Sequence, residues 1–144
     1  RIKCTGCGTC SLACSMSHIN AIHPNYWAIK IENHFPKRYN VHICTLCGKC
    51  VETCPEKAIT YHPEFGNIII DENKCNLCFE TDLQCVQVCP THVIKPPLKN
   101  VKNSNYSQKI PFTYDLCGGV PECIEWCPNE ALELKSSRKT HGGN

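Results

Sequence analysis

The sequence has no long apolar run. The longest stretches, such as Ile68-Ile69-Ile70, fall far short of the roughly 20 residues that span a bilayer, so no direct membrane insertion is expected. Aromatic residues are few: four Phe, five Tyr and two Trp. A small domain with so thin an apolar core usually needs staples. An excess of one charge is missing too. Fifteen Lys and Arg against thirteen Asp and Glu leave +2, too balanced for nucleic acid or an anionic membrane as the main partner. No G-x-G-x-x-G follows a strand and no P-loop occurs, so no nucleotide cofactor is expected. The seven histidines lack H-x-x-x-H or H-E-x-x-H spacing and read as surface or packing residues. The Tyr26, Trp27 and Phe35 group reads as core filler.

Cysteine is what the chain has in abundance, fifteen in 144 residues. In a short chain that density usually signals a disulfide scaffold. Here the count is odd and the cysteines fall in tight C-x-x-C runs, which points to metal instead. The chain opens Arg1-Ile2-Lys3-Cys4, so no signal peptide is expected. The opening Arg in place of Met leaves open whether a few leading residues precede it. A reducing, low-oxygen cytoplasmic interior suits free thiolates.

The cysteines belong to four related segments. The first is Cys4-Thr-Gly-Cys7-Gly-Thr-Cys10-Ser-Leu-Ala-Cys14, and the second is Cys44-Thr-Leu-Cys47-Gly-Lys-Cys50-Val-Glu-Thr-Cys54-Pro55. The third holds Cys75, Cys78, Cys85 and Cys89-Pro90, with a longer gap in its middle. The fourth, Tyr114-Asp-Leu-Cys117-Gly-Gly-Val-Pro-Glu-Cys123-Ile-Glu-Trp-Cys127-Pro128, puts Tyr114 where the first cysteine should stand. Each repeat after the first ends in Cys-Pro, two polar residues and an aliphatic pair. That ending predicts a short helical turn stopped near proline and then a strand, with candidates at Ile59–His62, Ile68–Asp71, Val93–Lys95 and Leu132–Leu134. Cys14 lacks the proline, so its helix should run on. Trp27-Ala-Ile-Lys-Ile-Glu alternates as a strand. Residues 99–109 read as a polar surface loop and residues 135–144 as a frayed tail.

Three cysteines at three-residue steps, then x-x-x-Cys-Pro, form the ligand pattern of a bacterial-type iron–sulfur cluster, whose fourth cysteine serves the other cluster of a pair. Glycines at 6, 8 and 48 leave room for the chain to wrap a cluster. Zinc knuckles space their pairs by a dozen residues or more and have no use for the C-x-x-x-C-P ending. Segment four keeps Cys117, Cys123 and Cys127 only. A site left with three thiolates is compatible with a 3Fe-4S cluster, a 4Fe-4S cluster with a non-cysteine ligand, or no cluster. Asp115 is the nearest replacement ligand and Tyr114 a less usual one. With the cysteines committed to ligation no acid/base constellation remains, so the chain is expected to be no enzyme by itself.

The order of the segments, with one and two compact and three and four carrying longer gaps, resembles the four-cluster ferredoxin-like subunits that accompany tungsten- or molybdenum-pterin oxidoreductases. The Asp115-Leu-Cys117-Gly-Gly-x-Pro-x-Cys123 run is most similar to partners of tungsten aldehyde oxidoreductases, with tungsten-type benzoyl-CoA reductases the other close case. The resemblance implies an α+β fold of tandem bacterial-ferredoxin-like units, with nested pairing of the repeats. Residues 1–43 and 98–144 would form the outer unit and residues 44–97 the inner one. By position it implies three 4Fe-4S clusters: one on Cys44, Cys47, Cys50 and Cys89, one on Cys75, Cys78, Cys85 and Cys54, and one on Cys4, Cys7, Cys10 and Cys127. The uncertain fourth site would fall to Cys14, Cys117 and Cys123. The function so implied is single-electron relay between a large pterin-bearing catalytic subunit and an electron carrier or further redox subunit. The alternatives are a free-standing polyferredoxin and a structural or regulatory module with zinc in some repeats.

Overall fold

The computed structural model describes residues 3–23, 25–34, 38–78, 82–98 and 109–134. Residues 99–108 of the expected polar loop, the expected tail and Phe35 lie outside them. Helix α1 runs Thr9–Ile19, followed by strands β1 (Lys30–His34) and β2 (Arg38–His42), helix α2 (Lys49–Thr53), strands β3 (Ile59–Tyr61) and β4 (Ile68–Ile70), and helices α3 (Gln84–Val88) and α4 (Glu122–Glu125). These short helices and short antiparallel strands are consistent with tandem ferredoxin-like domains.

Helices pack by repeat, α1 against α4 and α2 against α3, and each strand pair is its own two-stranded antiparallel sheet, β1 with β2 and β3 with β4. Two small cores result. One gathers Ile19, Tyr26, Ala28, Ile29 and Phe112 around Cys10, Cys14 and Cys123. The other gathers Ile59, Ile68, Val93 and Ile94 around Cys50, Cys85 and Cys89. Cysteines make up much of both, which is how a chain so poor in aromatics closes a core. Lys95 and Phe112 exchange both backbone hydrogen bonds at 2.9 Å, tying the chain after the inner core to the outer one. Tyr26 is buried and stacks on Phe112 with ring centroids 4.9 Å apart, as expected of core filler.

Two strand candidates form one residue short of their expected ends, as β3 and β4. Val93–Lys95 is reduced to the single bridge at Lys95, because Val93 and Ile94 turn into the inner core instead. Leu132–Leu134 forms no strand. The alternating stretch expected from Trp27 becomes a strand only at Lys30, since Ala28 and Ile29 are buried against α1. Helix α1 does run on past Cys14, ending when Asn20 adopts the left-handed conformation.

Candidate iron–sulfur centres

The loops that carry the cysteines share one backbone device. The residue just before the second cysteine position has positive φ in every repeat: Gly6 (73°), Leu46 (55°), Leu77 (59°) and Leu116 (59°). That left-handed residue reverses the chain so that the flanking side chains face one hollow. A leucine there stores strain that the surrounding structure must hold. In the longer-gap repeats the loop is also pinned by an Asx turn. Asn76 Oδ1 accepts from the Cys78 amide at 2.9 Å, and Asp115 Oδ1 accepts from the Cys117 amide at 2.9 Å. Past each Cys-Pro a second shared turn follows, with Lys57, His92 and Glu130 left-handed and their amides bonded back to the carbonyls of Cys54, Cys89 and Cys127.

Four hollows take in all fifteen cysteines. Cys4, Cys7, Cys10 and Cys127 line one, together with Ile31, Val41 and Ile43 of the outer sheet region. Cys44, Cys47, Cys50 and Cys89 line the second, with Thr113. Cys54, Cys75, Cys78 and Cys85 line the third. Cys14, Cys117 and Cys123 line the fourth, with His18, Tyr114 and Asp115. In each hollow one cysteine comes from a different repeat than the rest, because the helices are short. The pairs Cys10 and Cys14, Cys50 and Cys54, Cys85 and Cys89, and Cys123 and Cys127 stand four residues apart, so one helical turn hands the second cysteine to the next hollow.

The thiols of these hollows are not crowded as a single ion would crowd them. A tetrahedral zinc with Zn–S of about 2.3 Å holds its sulfurs about 3.8 Å apart. Among the described residues, which include every cysteine, the one trio of possible donor atoms lying within 4.8 Å of one another is His18, Asp115 and Cys117. No three cysteines of one hollow meet that limit. An iron–sulfur cube, with its ligands on separate irons, does not require that crowding. Polar groups are also in place to meet cluster or ligand sulfur. The Ala28 and Ala131 amides donate to Cys14 and Cys127 Sγ at 3.3 Å, and Thr9 and Thr91 hydroxyls lie 3.4 Å and 3.6 Å from Cys7 and Cys89 Sγ. Thr113 Oγ1 is buried without a hydrogen-bond partner, and Thr113 lines the second hollow.

Burial is the first cause of the thiol electrostatics. It pushes Cys14, Cys50 and Cys85 up to about 11 and Cys123 up to about 12, with neighbouring thiols adding to the rise. Crowded, buried thiols hold their protons unless a cation takes their place, and iron is such a cation. Cys7 runs the other way, lowered first by the Thr9 hydroxyl.

The fourth hollow is the smallest, with about 280 Å³ of empty space against about 350 and 370 Å³ in the second and third. Tyr114 lines it, and burial pushes its phenol up to about 12. His18, read from sequence among the surface or packing residues, packs against Phe112 and lines this hollow. Its Nε2 is 3.5 Å from Cys117 Sγ and 3.3 Å from Asp115 Oδ1. Burial lowers its pKa, against the pull of Asp115. The available sequence signal was Cys14-x-x-x-His18 on a helix with no proline to stop it, which puts both side chains on one face.

Residues 3–59 and 43–93 each match a 4Fe-4S dicluster domain. The chain is 34% identical over 127 residues to the aliphatic sulfonate oxidoreductase, polyferredoxin-like subunit, of Pyrococcus furiosus, covering 87% of this chain and 66% of that one. It is 33% identical over 96 residues to the polyferredoxin protein MvhB of Methanothermobacter marburgensis, covering 66% of this chain and 22% of the relative. It is 28% identical over 135 residues to a subunit of the Na(+)-translocating ferredoxin:NAD(+) oxidoreductase complex of Acetobacterium woodii, covering 92% of this chain and 37% of the relative. The chain thus spans between about a fifth and two thirds of these relatives' lengths. It is an iron–sulfur protein carrying 4Fe-4S dicluster domains over residues 3–93, and the relatives it matches are polyferredoxin-like or redox-complex subunits. Among the described residues no helix is long and apolar enough to cross a membrane.

Proposed function

We propose that the chain relays single electrons along a row of iron–sulfur centres, between a large tungsten- or molybdenum-pterin catalytic subunit and a carrier or further redox subunit. The observation that carries this reading is the grouping of the cysteines. Three hollows each gather three cysteines of one repeat and one of another, four thiolates for one 4Fe-4S cluster. A bound cluster supplies a one-electron centre, and the protein supplies the ligands, burial and hydrogen bonds that set its potential. The ligand sets are Cys4, Cys7, Cys10 and Cys127; Cys44, Cys47, Cys50 and Cys89; and Cys54, Cys75, Cys78 and Cys85. Residues 1–43 and 98–144 form the outer unit around residues 44–97.

The same geometry orders the row. Helices α1 and α4 each contribute cysteines to the first and fourth hollows, and the cysteines at α2 and α3 serve the second and third. Adjacent residues join the halves, since Thr113 lines the second hollow and Tyr114 the fourth. The order is therefore Cys4 site, Cys14 site, Cys44 site, Cys75 site. A cytoplasmic setting keeps such thiols reduced.

A partner-bound role is favoured over a free polyferredoxin by an apolar groove on the outer unit. Leu12, Met16, Ile22 and Trp126, 44 to 64% exposed, line it together. Clustered exposed apolar side chains of this kind mark interaction surfaces. The tungsten or molybdenum assignment rests on the resemblance of the cysteine segments. Anaerobic purification from the native source tests the whole reading. Iron and acid-labile sulfide, with tungsten or molybdenum in a co-purifying large chain, are expected. A free monomer without either metal would remove the partner, and zinc without iron would remove the clusters.

A further inference from the structure

Two departures from the repeat pattern lie a hundred residues apart in sequence and meet in the fourth hollow. One is Tyr114, standing where segment three has Cys75. The other is the missing proline after Cys14. In the other hollows the cysteine from the distant repeat is followed by Pro55, Pro90 or Pro128, and the chain turns away through left-handed Lys57, His92 or Glu130. After Cys14 the helix continues to Ile19. That extra turn carries His18, four residues beyond Cys14, to the lining of the hollow that Tyr114 leaves one cysteine short. We propose that His18 is the fourth protein ligand of this site, its imidazole joining Cys14, Cys117 and Cys123 around a 4Fe-4S cluster.

The competing residues are accounted for otherwise. Asp115 occupies the position of Asn76, and both make the same 2.9 Å side-chain bond to the amide two residues on. Asn76 does so beside a hollow lined by four cysteines, where no replacement ligand is needed. Asp115 is thus the turn-forming residue of its loop, and its side chain is 41% exposed while that of His18 is 14%. The imidazole is steadied by an edge contact with Phe112, ring centroids 4.6 Å apart. Its Nε2 meets Cys117 Sγ, 99 residues away in sequence, at 3.5 Å and Asp115 Oδ1 at 3.3 Å, hydrogen-bond contacts that open when His18 and Cys117 each take a separate iron. A Cys/His set is chemically sound for iron–sulfur ligation, since imidazole replaces thiolate on iron in Rieske centres and raises the potential.

The inference rests on the proposed iron–sulfur role of the fourth site, and one set of measurements separates the two. The full chain is loaded anaerobically with iron and sulfide, counted for iron, and studied by electron paramagnetic resonance with pulsed detection of nitrogen coupling. The wild type is expected to hold about 16 iron atoms, four at each of four sites, with a strong imidazole-nitrogen coupling on one reduced cluster. His18→Ala should lose that coupling and about one iron, leaving a 3Fe-4S signal in the oxidised protein. His18→Cys should keep the iron without the coupling, and Asp115→Asn, which preserves the turn, should keep both. A full iron count with no nitrogen coupling in the wild type overturns His18 ligation and leaves the residue a hydrogen-bond donor to Cys117. Loss of iron or coupling in Asp115→Asn with both retained in His18→Ala assigns the role to Asp115 and overturns the proposal. About 12 iron atoms in the wild type, with only all-cysteine signals, overturns the iron–sulfur reading of the site itself.

Discussion

Cys54 sits in one repeat's motif but lines the hollow of the next, with Cys75, Cys78 and Cys85. Cys54→Ser is therefore expected to remove the iron and signal of the Cys75 site while the Cys44 site stays intact. Iron counting with paramagnetic resonance checks this, and loss of the Cys44 site first would undo the crossed ligand sets. The buried thiols give a second expectation. Cys14, Cys50, Cys85 and Cys123 rise to about 11 or 12 in the folded chain, above an unfolded thiol near about 8.5. The folded, metal-free chain then binds protons more tightly than the unfolded one. Their contribution to stability is full below about pH 8.5 and drains away as pH climbs towards 11 to 12. Melting of chelator-treated protein should shift to lower temperature across that window, and a flat or rising profile would contradict it. Which repeat lends the fourth cysteine came from the family resemblance, while the three-cysteine part of the compact groupings was within reach of the spacing, because three-residue steps leave few ways to wrap a cluster. His18 was not, because its role depends on Cys117 arriving from 99 residues away, a matter of topology rather than spacing.

At the scale of elements, what positions the fourth site is the far end of α1. Ser15 is fully buried there, its hydroxyl donating to the Ala21 carbonyl at 2.8 Å and accepting from the His23 amide at 3.0 Å. One side chain thus folds the loop after α1 back onto the helix that carries Cys14 and His18. Ser15→Ala leaves both backbone groups without that partner, at a cost of about 1–3 kcal/mol. Its melting temperature should fall, and its fourth site should load less fully than the other three. Equal loading at all sites would mean the end of α1 holds its position without this clasp. The elements themselves were unevenly legible. Ile59 and Ile68 announced β3 and β4 by apolar content, and the missing proline announced the length of α1. Strand β2, Arg38-Tyr-Asn-Val-His42, carries mostly polar side chains and forms by pairing with β1, from Lys30↔His42 to His34↔Arg38. Partnership of that kind leaves no periodic mark on a single strand. Val93–Lys95 erred the other way, since its apolar residues satisfy a core rather than a sheet.

For the molecule as a whole, the proposed row puts the fourth repeat's site in its interior, not at its end. Sequence order hides this, because under that proposal the repeat nearest the C-terminus stands between the Cys4 site and the Cys44 site. The side chain at the junction is Tyr114, whose phenol is raised first by burial and then by thiols of its own site and of the Cys44 site, Cys123 and Cys44. Substituting ligands in different hollows distinguishes an interior link from a terminal one. Cys123→Ser should disable the interior site, leaving the inner pair of reduced clusters magnetically coupled while the Cys4 cluster gives an isolated signal. Cys85→Ser should disable the terminal Cys75 site and leave the other three coupled in series. Full reduction with dithionite followed by paramagnetic resonance reads both. An isolated Cys4 cluster in the Cys85 variant, or unbroken coupling from outer to inner clusters in the Cys123 variant, would reverse the order. Under the order argued here, electrons entering at the outer unit reach the inner one only through Cys14, Cys117 and Cys123. The repeat with Tyr114 in place of a cysteine is then the one whose ligand set the proposed relay depends on most, and the proposed ligation by His18 of α1 would keep the row continuous.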